Sequence, residues 1–229
     1  MMKRSFKKLG FTLAEVLLAM AIIGVVFLIS VPALKAPTQD RENSTQLMKF
    51  YPIFDNLLNL IVLENMGLEN VPFGQKDSVG NDEFVKLLIP HLRVGEDCQN
   101  SISATEKGCW AKENFNGIVF NTDSNYYKFR LVDGMSVAIR SYEDCEGRLS
   151  FDNLNYDFVC VAIYVDINSF DKPNKWNEDV FAFVFNKDIK KADYGNKTII
   201  ANTNAVLRPA SKKAIEIIEK PKETKGFNQ

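Results

Sequence analysis

Histidine is almost absent: His91 is the only one in 229 residues. A multi-histidine metal centre is thereby excluded, and any His-dependent catalytic triad would rest on a single residue. No C-x-x-C spacing links the four cysteines, which argues against a zinc ribbon or a thioredoxin-type redox site. The sequence also lacks G-x-S-x-G, a P-loop and H-E-x-x-H, so the common hydrolase, nucleotide and zinc-protease signatures are missing. There is no surplus of positive charge. Lys and Arg number 28 against 29 Asp and Glu, so no bulk basic field exists to hold nucleic acid. What remains, 46% apolar and 25% charged residues, is the composition of a globular chain rather than a disordered one.

The charge is unevenly placed. The first ten residues, MMKRSFKKLG, carry Lys3, Arg4, Lys7 and Lys8 and no acid, while the remainder is acidic. A basic head of this kind reads as a targeting segment. Behind it, Phe11 to Val31 forms an apolar run whose only ionisable side chain is Glu15. As a helix these residues reach about 31 Å, the thickness of a membrane's hydrocarbon core. The run is longer than the core of an ordinary secretory signal and no A-x-A site closes it. The basic residues come first, so the N-terminus is expected in the cytoplasm and the bulk of the chain outside it. Glu15 is the anomaly. A carboxylate in such surroundings costs several kcal/mol unless it is paired or neutralised. The apolar segment itself offers no cation, whereas a new α-amino group made by cutting before Phe11 would.

Gly10-Phe11-Thr12-Leu13-Ala14-Glu15, between a short basic leader and about twenty apolar residues, resembles the leader of type IV pilins and type II secretion pseudopilins. The resemblance implies cleavage between Gly10 and Phe11 by a prepilin peptidase, and N-methylation of Phe11 by the same enzyme. It further implies that Glu15 neutralises the Phe11 amine of an adjoining subunit during assembly into a filament. Pro32 falls where this family commonly has a helix-bending proline. The alternative is an uncleaved signal anchor.

Beyond the run, Leu47, Tyr51, Phe54, Leu58 and Ile61 recur at spacings of three and four, an amphipathic helical pattern. Gly67 is a stop signal. One long helix is therefore expected from Phe11 to about Met66, bent at its prolines. Asp82 fits an N-cap for the segment EFVKLLIPHL. Past Cys98 the period shortens to two. Residues 117–123, 125–132, 135–142, 157–167 and 180–186 read as strands, with Asp133-Gly134 as a hairpin turn. Residues 211–229 are expected to hold a short helix or strand and a frayed tail. The fold class expected is α+β: an antiparallel sheet of four or five strands, with the amphipathic half of the long helix against one face. That agrees with the pilin-like architecture the resemblance implies. The corresponding division is a leader at 1–10, a membrane or filament-core helix at 11–31, an amphipathic half-helix at 32–66 and a globular domain at 67–229.

Four cysteines, Cys98, Cys109, Cys145 and Cys160, in a chain with an export signal read as two disulfides. Three pairings exist. Neighbours, Cys98–Cys109 and Cys145–Cys160, are favoured because each closes a short loop, adding roughly 2–4 kcal/mol.

The segment 166–179 gathers six Asp or Asn residues and Glu178 between two expected strands. Hard oxygen ligands of this type suit Ca²⁺, although the spacing is not that of an EF-hand. The segment is similar to the D-[VI]-N-G-x-x-G-P-N-x-x-G-x-D-x-F pattern of pseudopilin-like proteins, whose corresponding loop binds calcium in some major pseudopilins. Asp166, Ile167, Asn168, Pro173, Asn174, Asp179 and Phe181 match, while Ser169, Lys172 and Asn177 stand where the pattern has glycine. If calcium binds, Asp166, Asn168 and Asp179 are the expected ligands. The other reading is a solvated connection whose Asx side chains cap the backbone.

Together these features point to a structural subunit, not an enzyme: a pilin-like protein made in the bacterial inner membrane and drawn into a periplasmic or surface filament. Its expected partners are other copies or other pilins, a prepilin peptidase, the inner-membrane assembly platform and, before assembly, membrane lipid. The competing class is an extracytoplasmic enzyme or adhesin held by a hydrophobic anchor.

Overall fold

The computed structural model describes the backbone of residues 12–194 and 197–219, and the side chains of those spans except 28–40 and 188–204. The basic leader, the Gly10–Phe11 junction and the expected tail beyond 219 lie outside the described residues. The chain divides into two compact units, 1–42 and 43–229. A helix, α1 (Leu13–Glu64), contributes to both.

From Leu13 to Phe27 α1 is apolar around its circumference, with Glu15 as its one charged residue. Leu13, Leu17, Leu18, Met20, Ile23 and Phe27 are each at least 60% exposed, a surface that water does not tolerate uncovered. Among the described residues, no helix is long and apolar enough to cross a membrane, so the membrane half of the expected helix is not shown.

In the second unit α1 becomes amphipathic. Leu47, Phe50, Phe54, Leu57, Leu58 and Ile61 are buried, a stripe at helical spacing. Tyr51 is half-buried and donates its hydroxyl to the Leu207 carbonyl at 2.9 Å. Pro52 lies on the exposed side, where the carbonyl it leaves without an amide donor faces water. The helix ends at Glu64, and the left-handed residue that closes it stands one before the expected glycine. Met66 takes the left-handed conformation at φ 58°, and the amide of Gly67 reaches back to the Val62 carbonyl at 3.0 Å. This is a Schellman closure with methionine at the position usually given to glycine.

A short helix, α2 (Glu83–Leu88), starts at Asp82, whose carboxylate accepts from the Val85 amide at 3.3 Å. Seven antiparallel strands follow: β1 (Val94–Gln99), β2 (Tyr127–Leu131), β3 (Ser136–Ser141), β4 (Gly147–Phe151), β5 (Leu154–Asp166), β6 (Val180–Tyr194) and β7 (Lys197–Pro209). Their order is β1-β2-β3-β5-β6-β7, with β4 paired to β5. A last helix, α3 (Lys212–Ile218), closes the described chain. The sheet thus exceeds the expected four or five strands. Conversely, residues 117–123 are not a strand. Asn116 and Gly117 take positive φ and reverse the chain between Phe115 and Ile118, so Phe120 enters the core from a turn.

The central strands are buried on both faces, which explains their near-continuous apolar sequence. Val161, Ile163 and Val165 of β5, with Phe181, Phe183 and Phe185 of β6, share one core with the α1 stripe and α2. The alternate residues Ala162, Tyr164, Ala182 and Val184 share a second core with Trp110, Phe115, Phe120 and Tyr126. That second cover is an irregular segment, fastened by a Cys98–Cys109 disulfide and by buried Lys128, which donates to the carbonyls of Ser101 and Asp123 at 2.5 and 2.6 Å. A second disulfide joins Cys145 to Cys160. At Phe158, φ 56°, β5 turns. The β4–β5 hairpin comes back over the second face, where Phe151 meets Tyr164 and Trp176 with ring centroids 5.9 Å apart.

Candidate functional site

Two places carry the residues singled out by sequence. The first is the start of α1. Thr12 is its N-cap: its hydroxyl accepts from the Glu15 amide at 3.3 Å, and Glu15 Oε2 accepts from the Thr12 amide and hydroxyl, each at 2.9 Å. The two residues therefore form a reciprocal capping box. The signal, Thr followed three residues later by Glu before an apolar run, stood in the sequence and was not read as a cap. Gly10 and Phe11, the expected cleavage and methylation residues, lie outside the described residues.

The second place is the β5–β6 loop. Asp166 ends β5 and Asp179 precedes β6, so the antiparallel pairing of those strands brings the two carboxylates together at the loop's neck. Both are 0% exposed. The neck is closed by the Ile167 amide donating to the Asp179 carbonyl at 3.1 Å. The Asp179 carboxylate caps the inner turn of the loop, accepting from the amides of Asn174 at 2.7 Å and Lys175 at 2.6 Å. The Asp166 carboxylate accepts from the Asn168 amide at 3.3 Å.

Asn168 lies between the two acids. With its side-chain nitrogen turned inward it donates toward Asp166 Oδ1 at 2.9 Å, the Asp171 carbonyl at 3.2 Å and Asp179 Oδ2 at 3.3 Å. Asn174, turned the same way, donates to the carbonyls of Ser169 at 2.7 Å and Asp171 at 3.0 Å. Burial, and then the charge of Asp179, push the Asp166 carboxyl up to about 8. Burial also raises Asp179, against the backbone amides of Lys175 and Asn174 that stabilise its charge. Two acids held this close in a dry pocket resist simultaneous ionisation.

Two of the three positions where the calcium-loop pattern has glycine adopt the geometry glycine supplies. Ser169 and Asn177 have φ of 58° and 63°, and both are held by side-chain bonds. Ser169 Oγ lies 2.7 Å from Ser136 Oγ. Asn177 donates to Asp152 Oδ2 at 2.8 Å and accepts from the Lys213 amide at 3.0 Å. Asp152, which also accepts from Trp176 Nε1 at 3.1 Å and the Lys212 amide at 2.7 Å, ties the loop to the β4–β5 turn and to α3. Sequence reading did not select Asp152, whose partners are 24 to 60 residues away. His91 sits far from this loop in sequence, with its Nε2 3.6 Å from Glu64.

Among the described residues, no three or more His, Cys, Asp or Glu side chains gather as a metal site. Of the four carboxylates in residues 166–179, Asp166 and Asp179 are the two buried at the neck, and any further ligands there would be the neutral oxygens of Asn168, Asn174 and the Ser169 and Asp171 carbonyls. That mixture fits a hard divalent cation in kind, since Ca²⁺ accepts amide and carbonyl oxygens beside carboxylates and two acids balance its charge.

An apolar helical start with an internal capping glutamate, in a chain whose other unit is α+β with an antiparallel sheet, is the layout expected of pilin-like proteins. Residues 5–31 match the model of the prokaryotic N-terminal methylation motif, the signature of type IV pilins and pseudopilins. No curated protein matches the chain, and neither does any solved structure.

Proposed function

We propose that this chain is a structural subunit of a type IV pilus or a type II secretion pseudopilus. The observation that carries this reading is the methylation motif at residues 5–31. The α+β unit behind it is consistent with a pilin-like fold. A prepilin peptidase cuts between Gly10 and Phe11 and methylates the new terminus. The chain then waits in the inner membrane, its apolar helix in lipid, until an assembly platform draws it into a filament outside the cytoplasm. Assembly exchanges lipid for neighbouring helices around the residues that stand exposed between Leu13 and Phe27. Glu15 neutralises the Phe11 amine of the next subunit, an interaction whose strength comes from the low dielectric around it. The mass of the mature N-terminus tests this. A methylated Phe11 is expected, and an intact Met1 in cells that contain the peptidase would favour an anchored enzyme or adhesin instead.

The β5–β6 loop is proposed as a calcium site, with Asp166, Asn168 and Asp179 as ligands. Its support is the convergence of oxygen atoms at a neck shielded from water. A bound cation supplies positive charge between two buried acids, and the chain's own part is to hold those acids and the loop's carbonyls in place. The consequence is a stiff loop on the surface of the globular unit, able to serve as a subunit contact. Thermal unfolding of the full-length chain in detergent, with EDTA and then with CaCl₂, tests it. A higher midpoint in calcium is expected, and identical midpoints would remove the site.

A further inference from the structure

Between α1, the turn that joins β2 to β3 and the segment leading into β1 lies a groove with a volume of about 440 Å³. Phe50, Phe54 and Met135 are its buried floor, while Ile53 and Val132 stand at its edges, 57% and 61% exposed. Leu92 and Leu131 complete the apolar lining. Among the described residues, no Ser, Thr, Asn, Gln, Tyr or Trp lines it, so no side chain inside replaces the hydrogen bonds that a polar ligand gives up with water. The rim is charged, with Lys49, His91, Arg93 and Asp133. Asp133 is turned to its own backbone, accepting from the Met135 amide at 3.3 Å, and His91 faces Glu64 at 3.6 Å. Lys49 and Arg93 are exposed, and among the described residues neither makes an ion pair. Two cations against one acid leave the rim positive. Arg93 is held there by its backbone, its carbonyl accepting from the Val132 amide at 2.9 Å.

We propose that this groove binds a long-chain carboxylate, with the hydrocarbon body between Ile53 and Val132 and the head group on Arg93 and Lys49. The volume falls within the range of small-ligand sites, roughly 300–1,000 Å³. The lining selects the body. A nucleotide, a sugar or an extended peptide would carry donors and acceptors into a place that leaves them unpaired. A hydrocarbon chain carries none, and each methylene withdrawn from water favours the groove. The rim selects the head. A guanidinium grips a carboxylate through two parallel N–H···O bonds, and the Lys49 ammonium adds a second positive charge. At a wet rim that attraction is modest and falls with salt. It therefore decides orientation, and acid over base, more than total affinity. The groove lies wholly in the second unit and uses neither Glu15 nor the β5–β6 loop, so this binding stands apart from filament assembly and from calcium.

A photoreactive fatty acid, with a diazirine in its acyl chain, tests this on the full-length chain in phosphatidylcholine nanodiscs. Labelled peptides are mapped by mass spectrometry, which separates probe in the groove from probe dissolved in lipid. Saturable labelling is expected on the peptides that carry Ile53 and Val132. Dodecanoate should displace it about tenfold more effectively than dodecyltrimethylammonium, a chain of like length with the opposite head. Lys49→Gln combined with Arg93→Gln should weaken labelling by about the same factor. Both side chains are exposed, so the unfolding midpoint should not move. Val132→Trp, which fills the groove and keeps the cations, should abolish the labelling. Wild-type protein without labelling at these peptides, equal displacement by the two amphiphiles, or a Lys49 and Arg93 variant labelled like wild type would each overturn the proposal. The displacement pair is read on wild-type protein, so it decides even where a variant fails to fold.

Discussion

Asn43 of α1 donates its side-chain amide to the Glu178 carbonyl at 3.0 Å, across 135 residues of sequence. The bond joins the first turn of the helix in the globular unit to the β5–β6 loop. It is almost fully buried at the Asn43 end. A lost bond of this kind leaves a carbonyl without its partner and costs about 1 kcal/mol. Asn43→Ala should lower stability by that amount in denaturant unfolding. It should also speed backbone exchange locally, at the amides of Lys175 to Asp179. Uniform protection across the loop would show that the strands alone position it.

How much of this could be read from sequence depends on the range of the forces involved. The α1 stripe was legible because Leu47, Phe54, Leu58 and Ile61 repeat at a fixed local period, and β5 and β6 because their apolar runs are long. The Asp133-Gly134 turn and the Asp82 cap were legible because each is decided within four residues. β1 was hidden: its sequence VGEDCQ buries only Cys98, and bulges break its register against β2. β7 was hidden because its stability comes from pairing with β6 rather than from an apolar period of its own. At the candidate site, Asp166, Asn168 and Asp179 were visible as a spacing. The donation from Asn174, the anchoring by Asp152 and the tie to Asn43 were not, since each depends on which distant segment the sheet brings alongside.

Glu15 should matter for assembly and not for processing. Its capping box with Thr12 is local and falls on the far side of the cut from the basic leader. Glu15→Ala should leave cleavage after Gly10 largely intact while filament yield falls sharply, measured by sheared surface protein and by immunoblot of precursor and mature forms. Filaments in normal amount from that variant would refute the pairing role.

The Cys98–Cys109 bridge holds the segment that covers the second face of the sheet. Removing it by a Cys98→Ser, Cys109→Ser double substitution should cost about 2–4 kcal/mol. The loss should be seen first in Trp110, which is fully buried against Phe120 with ring centroids 4.6 Å apart. A red shift of tryptophan emission at denaturant concentrations that leave the wild type native is the expected sign. Coincident transitions in the two proteins would mean that the cover is held by its apolar contacts alone.

Lys128 offers a pH test of the same cover. Its ammonium is 0% exposed, and burial pulls it down to about 8 from the usual lysine range, with the charge of Asp123 opposing. The unfolded chain then binds more protons than the folded one between pH 8 and the normal lysine value, so this group makes the fold more stable as pH rises through that window. Below pH 8 both states are charged and the contribution is flat. Tyr142, pushed up to about 12 by burial, acts in the opposite direction only above pH 10, where unfolded tyrosine ionises. Lys128→Met removes the titration and leaves the carbonyls of Ser101 and Asp123 without a donor, at about 1–3 kcal/mol for each that stays buried. The variant should be less stable than wild type at pH 7, and the gap should widen from pH 8 to 9.5. A gap that narrows over that interval would show that the amine is not desolvated in the folded chain, and the cover would then have to be anchored by the disulfide and the aromatic cluster alone.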